Sequence, residues 1–128
     1  MPEFIPQHAD VAGADDFLRG YLTAAEWLLD EEIDRDAVIG WAPHAVADAV
    51  EDCKAFQEGN AADLAEYARI TGRAMESAGI DFWLSRNGHG AGYFDRGNGA
   101  VFDRLQDAAR VWSSRDVWLG EDGLLSFE

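Results

Sequence analysis

The apolar residues of this chain recur at helical spacing as far as Gly79 and then switch to alternation, and that change of period most constrains the fold. Leu18, Tyr21, Leu22, Ala25, Leu28 and Leu29 share one face of a helix that Asp15 or Asp16 can cap and that runs to about Asp30. Pro43 suits the first turn of a second helix, with Ala45, Val46, Ala49, Val50, Cys53 and Phe56 on its apolar face. Gly59 ends that helix. Asn60 caps a third, which buries Leu64, Tyr67, Ala68, Thr71, Met75 and Ala78 and stops at Gly79. From there, Asp81 to Arg86 reads as a strand, with Phe82 and Leu84 on one side and Trp83 on the other. Asn87 and Gly88 signal a turn, and Tyr93 to Arg96 returns as a second strand. Asn98 caps a fourth helix carrying Phe102, Leu105, Ala108, Ala109 and Trp112. Residues 116–119 and 124–127 close as a hairpin around Gly-Glu-Asp-Gly. The expected fold is α+β: N-terminal helices followed by a small, mainly antiparallel sheet crossed by one helix.

A length of 128 residues suits one domain, expected over residues 14–128. Residues 1–13 carry two prolines, little periodicity and no clear cap, so a flexible N-terminal arm is expected there. Cys53 is the single cysteine and falls on an apolar helix face, which makes it a core residue rather than a nucleophile. No stretch approaches the ~20 apolar residues of a membrane span, and no secretory pattern opens the sequence. A soluble, cytoplasmic protein is expected.

Twenty-five acidic residues against ten basic ones give a net charge of −15. Phosphate backbones and anionic membranes need clustered cations, so direct nucleic-acid and membrane binding are disfavoured. A basic protein partner is favoured, with the field of the whole chain steering the encounter. Acidity that only keeps a protein soluble, or that reflects a salty habitat, explains the same composition. Two acidic groups stand out as partner-binding candidates. Asp30, Glu31, Glu32, Asp34 and Asp36 crowd the end of the first helix, where they oppose its macrodipole. Asp48, Glu51 and Asp52 lie on the polar side of the second. Trp41, in an Ile-Gly-Trp-Ala-Pro connection outside any apolar face, is a candidate exposed anchor.

The run Gly88-His89-Gly90-Ala91-Gly92 invites a phosphate-loop reading, but it lacks the Gly-Lys-Ser/Thr ending and a helix directly behind it. A wide turn with positive-φ glycines explains the run without a ligand. His89 could act as a base oriented by Asp95 or Asp81. His8 and His44 show no zinc-like spacing to it, so no metal and no cofactor are expected. Arg86 and Arg96 flank the loop and are expected to pair with local aspartates, Asp81 and Asp95 included. No nucleophile–base or paired-carboxylate signature marks an enzyme.

The segment from Asp81 to Arg96, Asp-Phe-Trp-Leu-Ser-Arg-Asn-Gly-His-Gly-Ala-Gly-Tyr-Phe-Asp-Arg, resembles a motif found in a family of small acidic proteins encoded by bacteriophages and prophages. The likeness extends over roughly residues 60–127, through a helix to the closing acidic hairpin. It transfers no catalytic residue. It implies a phage-like origin and a role in the cytoplasm of an infected host cell.

Two functional readings follow. One is a non-catalytic acidic binding protein, a DNA mimic whose carboxylates occupy the cationic groove of a nucleic-acid-handling host defence protein. The other is a small enzyme or ligand-binding domain centred on His89 and the 88–92 loop.

Overall fold

Asp15 opens the first helix as its position predicts: its carboxylate accepts the Leu18 backbone N–H at 2.8 Å. The computed structural model describes residues 15–88 and 90–127, so the expected arm over 1–13 lies outside the described residues. Helix α1 spans Asp16–Trp27, ending short of Asp30, and buries Phe17, Leu18, Tyr21, Leu22, Ala24 and Ala25. Helix α2 spans Pro43–Gly59, with Pro43 in its first turn and Ala45, Val46, Ala49, Cys53 and Phe56 buried. Helix α3 covers Ala61–Thr71. Asn60 does not cap it through its side chain; the Asn60 amide instead donates to the Phe56 carbonyl at 2.9 Å and closes α2.

The next stretch departs from expectation. Gly72, at φ 70°, ends the third helix, and a new helix α4 runs over Met75–Asn87. The expected strand at 81–86 is therefore helical. Ala78, Gly79, Asp81, Phe82, Trp83, Ser85 and Arg86 are all buried, so α4 is covered on most sides. A helix buried nearly all round has no apolar stripe, and its buried polar residues imitate strand alternation. Asn87 and Gly88 are the helix end rather than a hairpin turn, with Gly88 left-handed at φ 65°. Tyr93–Asp95 forms one 3-10 turn, not a returning strand, and the Tyr93 hydroxyl donates to the Ala78 carbonyl at 2.7 Å.

Gly79 is not a stop but a crossing point. A methyl group there would overlap the Phe17 carbonyl, and one at Gly20 would overlap the Glu76 carbonyl. The two glycines let the backbones of α1 and α4 touch. Phe82 of α4 then stacks on Phe56 with ring centroids 4.1 Å apart, in an aromatic core that includes Phe17 and Tyr93.

Helix α5 spans Ala100–Val111, entered through Gly99 at φ 143° with no side-chain cap from Asn98. Strands β1 (Gly40–Trp41), β2 (Val117–Leu119) and β3 (Leu124–Phe127) form a sheet in the order β1-β3-β2. The closing hairpin is antiparallel, as expected, with Trp118 opposite Ser126. β1 adds a parallel edge, Trp41 opposite Leu125. The fold is thus α+β, with a mixed three-stranded sheet among the described residues. Trp41 is not an exposed anchor. It is 1% exposed, its ring lies 4.9 Å from that of Phe127, and its indole donates to the Glu26 carboxylate at 2.7 Å. No helix among the described residues is long and apolar enough to cross a membrane.

Candidate functional site

The chain leaves α1 at Leu28 and folds into a tight acidic loop. The Asp30 carboxylate accepts the Glu32 N–H at 2.9 Å, and Asp34 accepts the Asp36 N–H at 3.1 Å, capping a 3-10 turn over Arg35–Ala37. Arg35, the cation within residues 30–36, turns back and donates to the Glu26 and Trp27 carbonyls at 2.9 and 2.8 Å. It thereby offsets the acids crowded at the negative end of α1. Asp30, Glu31, Glu32, Asp34 and Asp36 are all exposed. The first acidic group is thus a free surface, as its sequence suggests.

Glu26 lies beneath this loop, 4% exposed. Burial pushes its carboxyl up from the ordinary 4.5 to about 7, against the opposing hydrogen bond from Trp41. A carboxyl raised in the folded state stabilises fully below about 4.5, and that contribution is lost as pH rises through about 7. Glu26→Gln should therefore raise stability at pH 8 by ~1–2 kcal/mol, allowing for partial solvent screening, and change it little at pH 4. Urea unfolding of both proteins at the two pH values measures this. An equal effect at both would show that Glu26 does not titrate in this window.

The second acidic group divides. Arg86 donates to Asp52 at 2.9 Å, to the Tyr21 hydroxyl at 2.9 Å and to the Ser113 carbonyl at 2.6 and 3.0 Å. Arg115 reaches Asp52 at 3.4 Å and Asp48 at 3.8 Å. Asp52 therefore serves an internal network, Asp48 borders it with its side chain still 48% exposed, and Glu51 is exposed. Arg86 does not pair with Asp81 or Asp95 as its position beside the loop suggests. Its guanidinium sits 5.6 Å from the Phe82 ring centroid and 5.7 Å from that of Trp112. The roles of Tyr21, Ser113 and Arg115 had no local signal, because their partners are remote in sequence.

Arg96 does meet Asp81, through Nε at 2.9 Å and a terminal nitrogen at 2.7 Å. Asp81 is fully buried and also accepts the Tyr67 hydroxyl at 2.6 Å, which in turn accepts from Arg73 Nε at 2.9 Å. Burial, reinforced by the Asp81 carboxylate, raises the Tyr67 phenol, so it stays a donor. Asp95 stands 3.8 Å from Arg96 and accepts the Gly92 N–H at 3.1 Å, at the start of the 3-10 turn over Tyr93–Asp95.

Gly88, Gly90 and Gly92 have φ of 65°, 77° and 147°, so the run supplies the positive angles of a wide turn. Ser85 Oγ accepts the Tyr93 N–H at 3.1 Å and donates to Gln106 at 2.7 Å, filling the space beside Gly92. His89 lies outside the described residues. Among the described residues no group of three histidine, cysteine, aspartate or glutamate side chains is arranged to hold a metal. Cys53 is buried, and burial raises its thiol well above the ordinary range.

Beside the acidic loop is a cleft of about 400 Å³. It is bounded by Leu28, Leu29 and Asp30 after α1, by Trp83 and Asn87 of α4, and by residues 114–117. Leu29 and Asp30 also border the hollow of the acidic loop, so the two features adjoin. No protein-family model, no curated protein and no solved structure matches this chain.

Proposed function

We propose that the protein is a non-catalytic acidic binding protein of phage type, whose carboxylates stand in for DNA phosphates in the cationic groove of a nucleic-acid-handling host protein. The phage attribution rests on the sequence resemblance of residues 81–96. The arrangement of the charges supports the binding reading. Five carboxylates within residues 30–36 face solvent, while the neighbouring cation Arg35 is turned onto the helix end. Arg86, Arg96 and Arg115 are drawn into internal pairs, so they do little to dilute the surface charge. The binding surface is the 30–36 loop rather than α2, because Asp48 and Asp52 face Arg115 and Arg86.

The test is capture from a host lysate at low and high salt, with DNA as competitor. Capture should weaken as the Debye length falls from ~10 Å at 0.1 M to ~3 Å at 1 M. Neutralising Asp30, Glu31, Glu32, Asp34 and Asp36 together should slow association more than it speeds dissociation, because peripheral charges steer encounter. Neutralising Glu51 should change neither rate. A captured complex indifferent to salt, to DNA and to the five substitutions would exclude mimicry.

A further inference from the structure

We propose that Asn98 is a site of spontaneous covalent modification, where the fold lets the carboxamide become an aspartyl or isoaspartyl carboxylate while withholding the same reaction from Asn87. The chain has two Asn-Gly pairs, Asn87-Gly88 and Asn98-Gly99. In such a pair the glycine main-chain nitrogen can attack the asparagine Cγ, because no Cβ hinders the approach. At Asn98 a bond forms between Gly99 N and Cγ, and the Cγ–Nδ2 bond breaks. The Gly99 amide proton leaves with the Nδ2 group as ammonia, and a succinimide ring remains. Water then opens the ring. Attack at Cγ gives aspartate, and attack at the Asn98 main-chain carbonyl carbon gives isoaspartate. Nothing is oxidised or reduced; water is consumed and ammonia is released.

The reaction needs a glycine N–H that is not held and a carboxamide that is free to turn. Asn98 meets both conditions. Asn98 and Gly99 are exposed, and among the described residues the Asn98 side chain makes no hydrogen bond. Gly99 enters α5 through its carbonyl, which accepts the Phe102 N–H at 3.3 Å, while its own N–H precedes the helix and donates to no described group. Asn87 meets neither condition. Its amide donates to the Trp83 carbonyl at 2.9 Å, and its carbonyl accepts the Arg115 N–H at 2.8 Å. The Gly88 N–H is committed to the Leu84 and Ser85 carbonyls at the end of α4. Asn60 is followed by alanine, and its amide is bonded to the Phe56 carbonyl. Each conversion at Asn98 adds one negative charge to the −15 of the chain. The new carboxylate lies at an exposed position just before α5, so the folded protein need not open to accept it.

The full chain is held folded in mildly alkaline buffer, and in urea in parallel, and its peptides are mapped by mass spectrometry over time. In the folded protein, residue 98 should convert roughly tenfold faster than residue 87 or more, because Asn87 reacts only when its hydrogen bonds open. In urea the two should convert within about twofold of each other, since the native hydrogen bonds are gone. Asn98→Gln should abolish the acidic species that accumulates in the folded protein, because the longer side chain must close a six-membered ring. Equal conversion at 87 and 98 in the folded chain would overturn the assignment. So would a reaction at 98 that urea accelerates as much as the one at 87, or an acidic species that survives Asn98→Gln.

Discussion

Gly79→Ala should destabilise the protein by about 3 kcal/mol or more, although alanine is the better helix former by ~1 kcal/mol. Gly79 lies inside α4, and an added methyl group would meet the Phe17 carbonyl of α1. The obstacle is backbone, so it cannot rotate aside; the two helices must separate. Separation would loosen Phe82 from Phe17 and Phe56, at the centre of the aromatic core. Gly20→Ala should act the same way through the Glu76 carbonyl. Gly59→Ala is the control. It ends α2 with open space around it, so the substitution should be neutral or stabilise by up to ~1 kcal/mol. Thermal unfolding of the three variants decides the matter. A Gly79 variant as stable as the Gly59 variant would mean that the α1–α4 crossing is wider than described.

Asp81→Ala should cost about 3 kcal/mol, by removing the carboxylate that neutralises Arg96 and accepts the Tyr67 hydroxyl. The figure sits at the low end for a buried pair because the Arg96 side chain keeps 23% exposure. Most of the loss is the penalty of the partners left behind rather than the net worth of the pair. Replacing both partners, Asp81→Leu with Arg96→Met, should therefore recover much of it. Urea midpoints of the single and double variants form the cycle. Simple addition of the two single losses would show that Asp81 and Arg96 act independently. None of these substitutions touches the 30–36 loop, so partner capture by whatever fraction remains folded should be unchanged.

An Asp81–Arg96 pair was among the local pairings the sequence suggested, since cations are scarce in this chain, although Asp81 reaches Arg96 from within α4 rather than from a strand. The Arg86–Asp52 pair was not. Its partners are 34 residues apart, and the adjoining Tyr21 contact spans 65. The acidic loop was legible for the opposite reason: charges concentrated that closely in a polar connection have nowhere to go but solvent. The cleft beside it was invisible, because Trp83 and residues 114–117 are brought together by the path of α4 and α5.

The helix starts at Asp15 and Pro43, the end at Gly59, the closing hairpin and the charge imbalance belong to the sequence by itself. Each depends on interactions within a few residues or on composition. Whether 81–86 is helix or strand, whether Trp41 faces water, and whether Asp52 is free to bind were decided only by the tertiary structure. In all three the sequence shows a polar or aromatic residue whose burial depends on a partner brought from elsewhere in the chain. Asp81 waits on Arg96, Trp41 on Glu26 and Phe127, and Arg86 on Tyr21 and Asp52. Hydrophobic period assigns such residues to the surface, and only the assembled core supplies the hydrogen bonds that let them be buried.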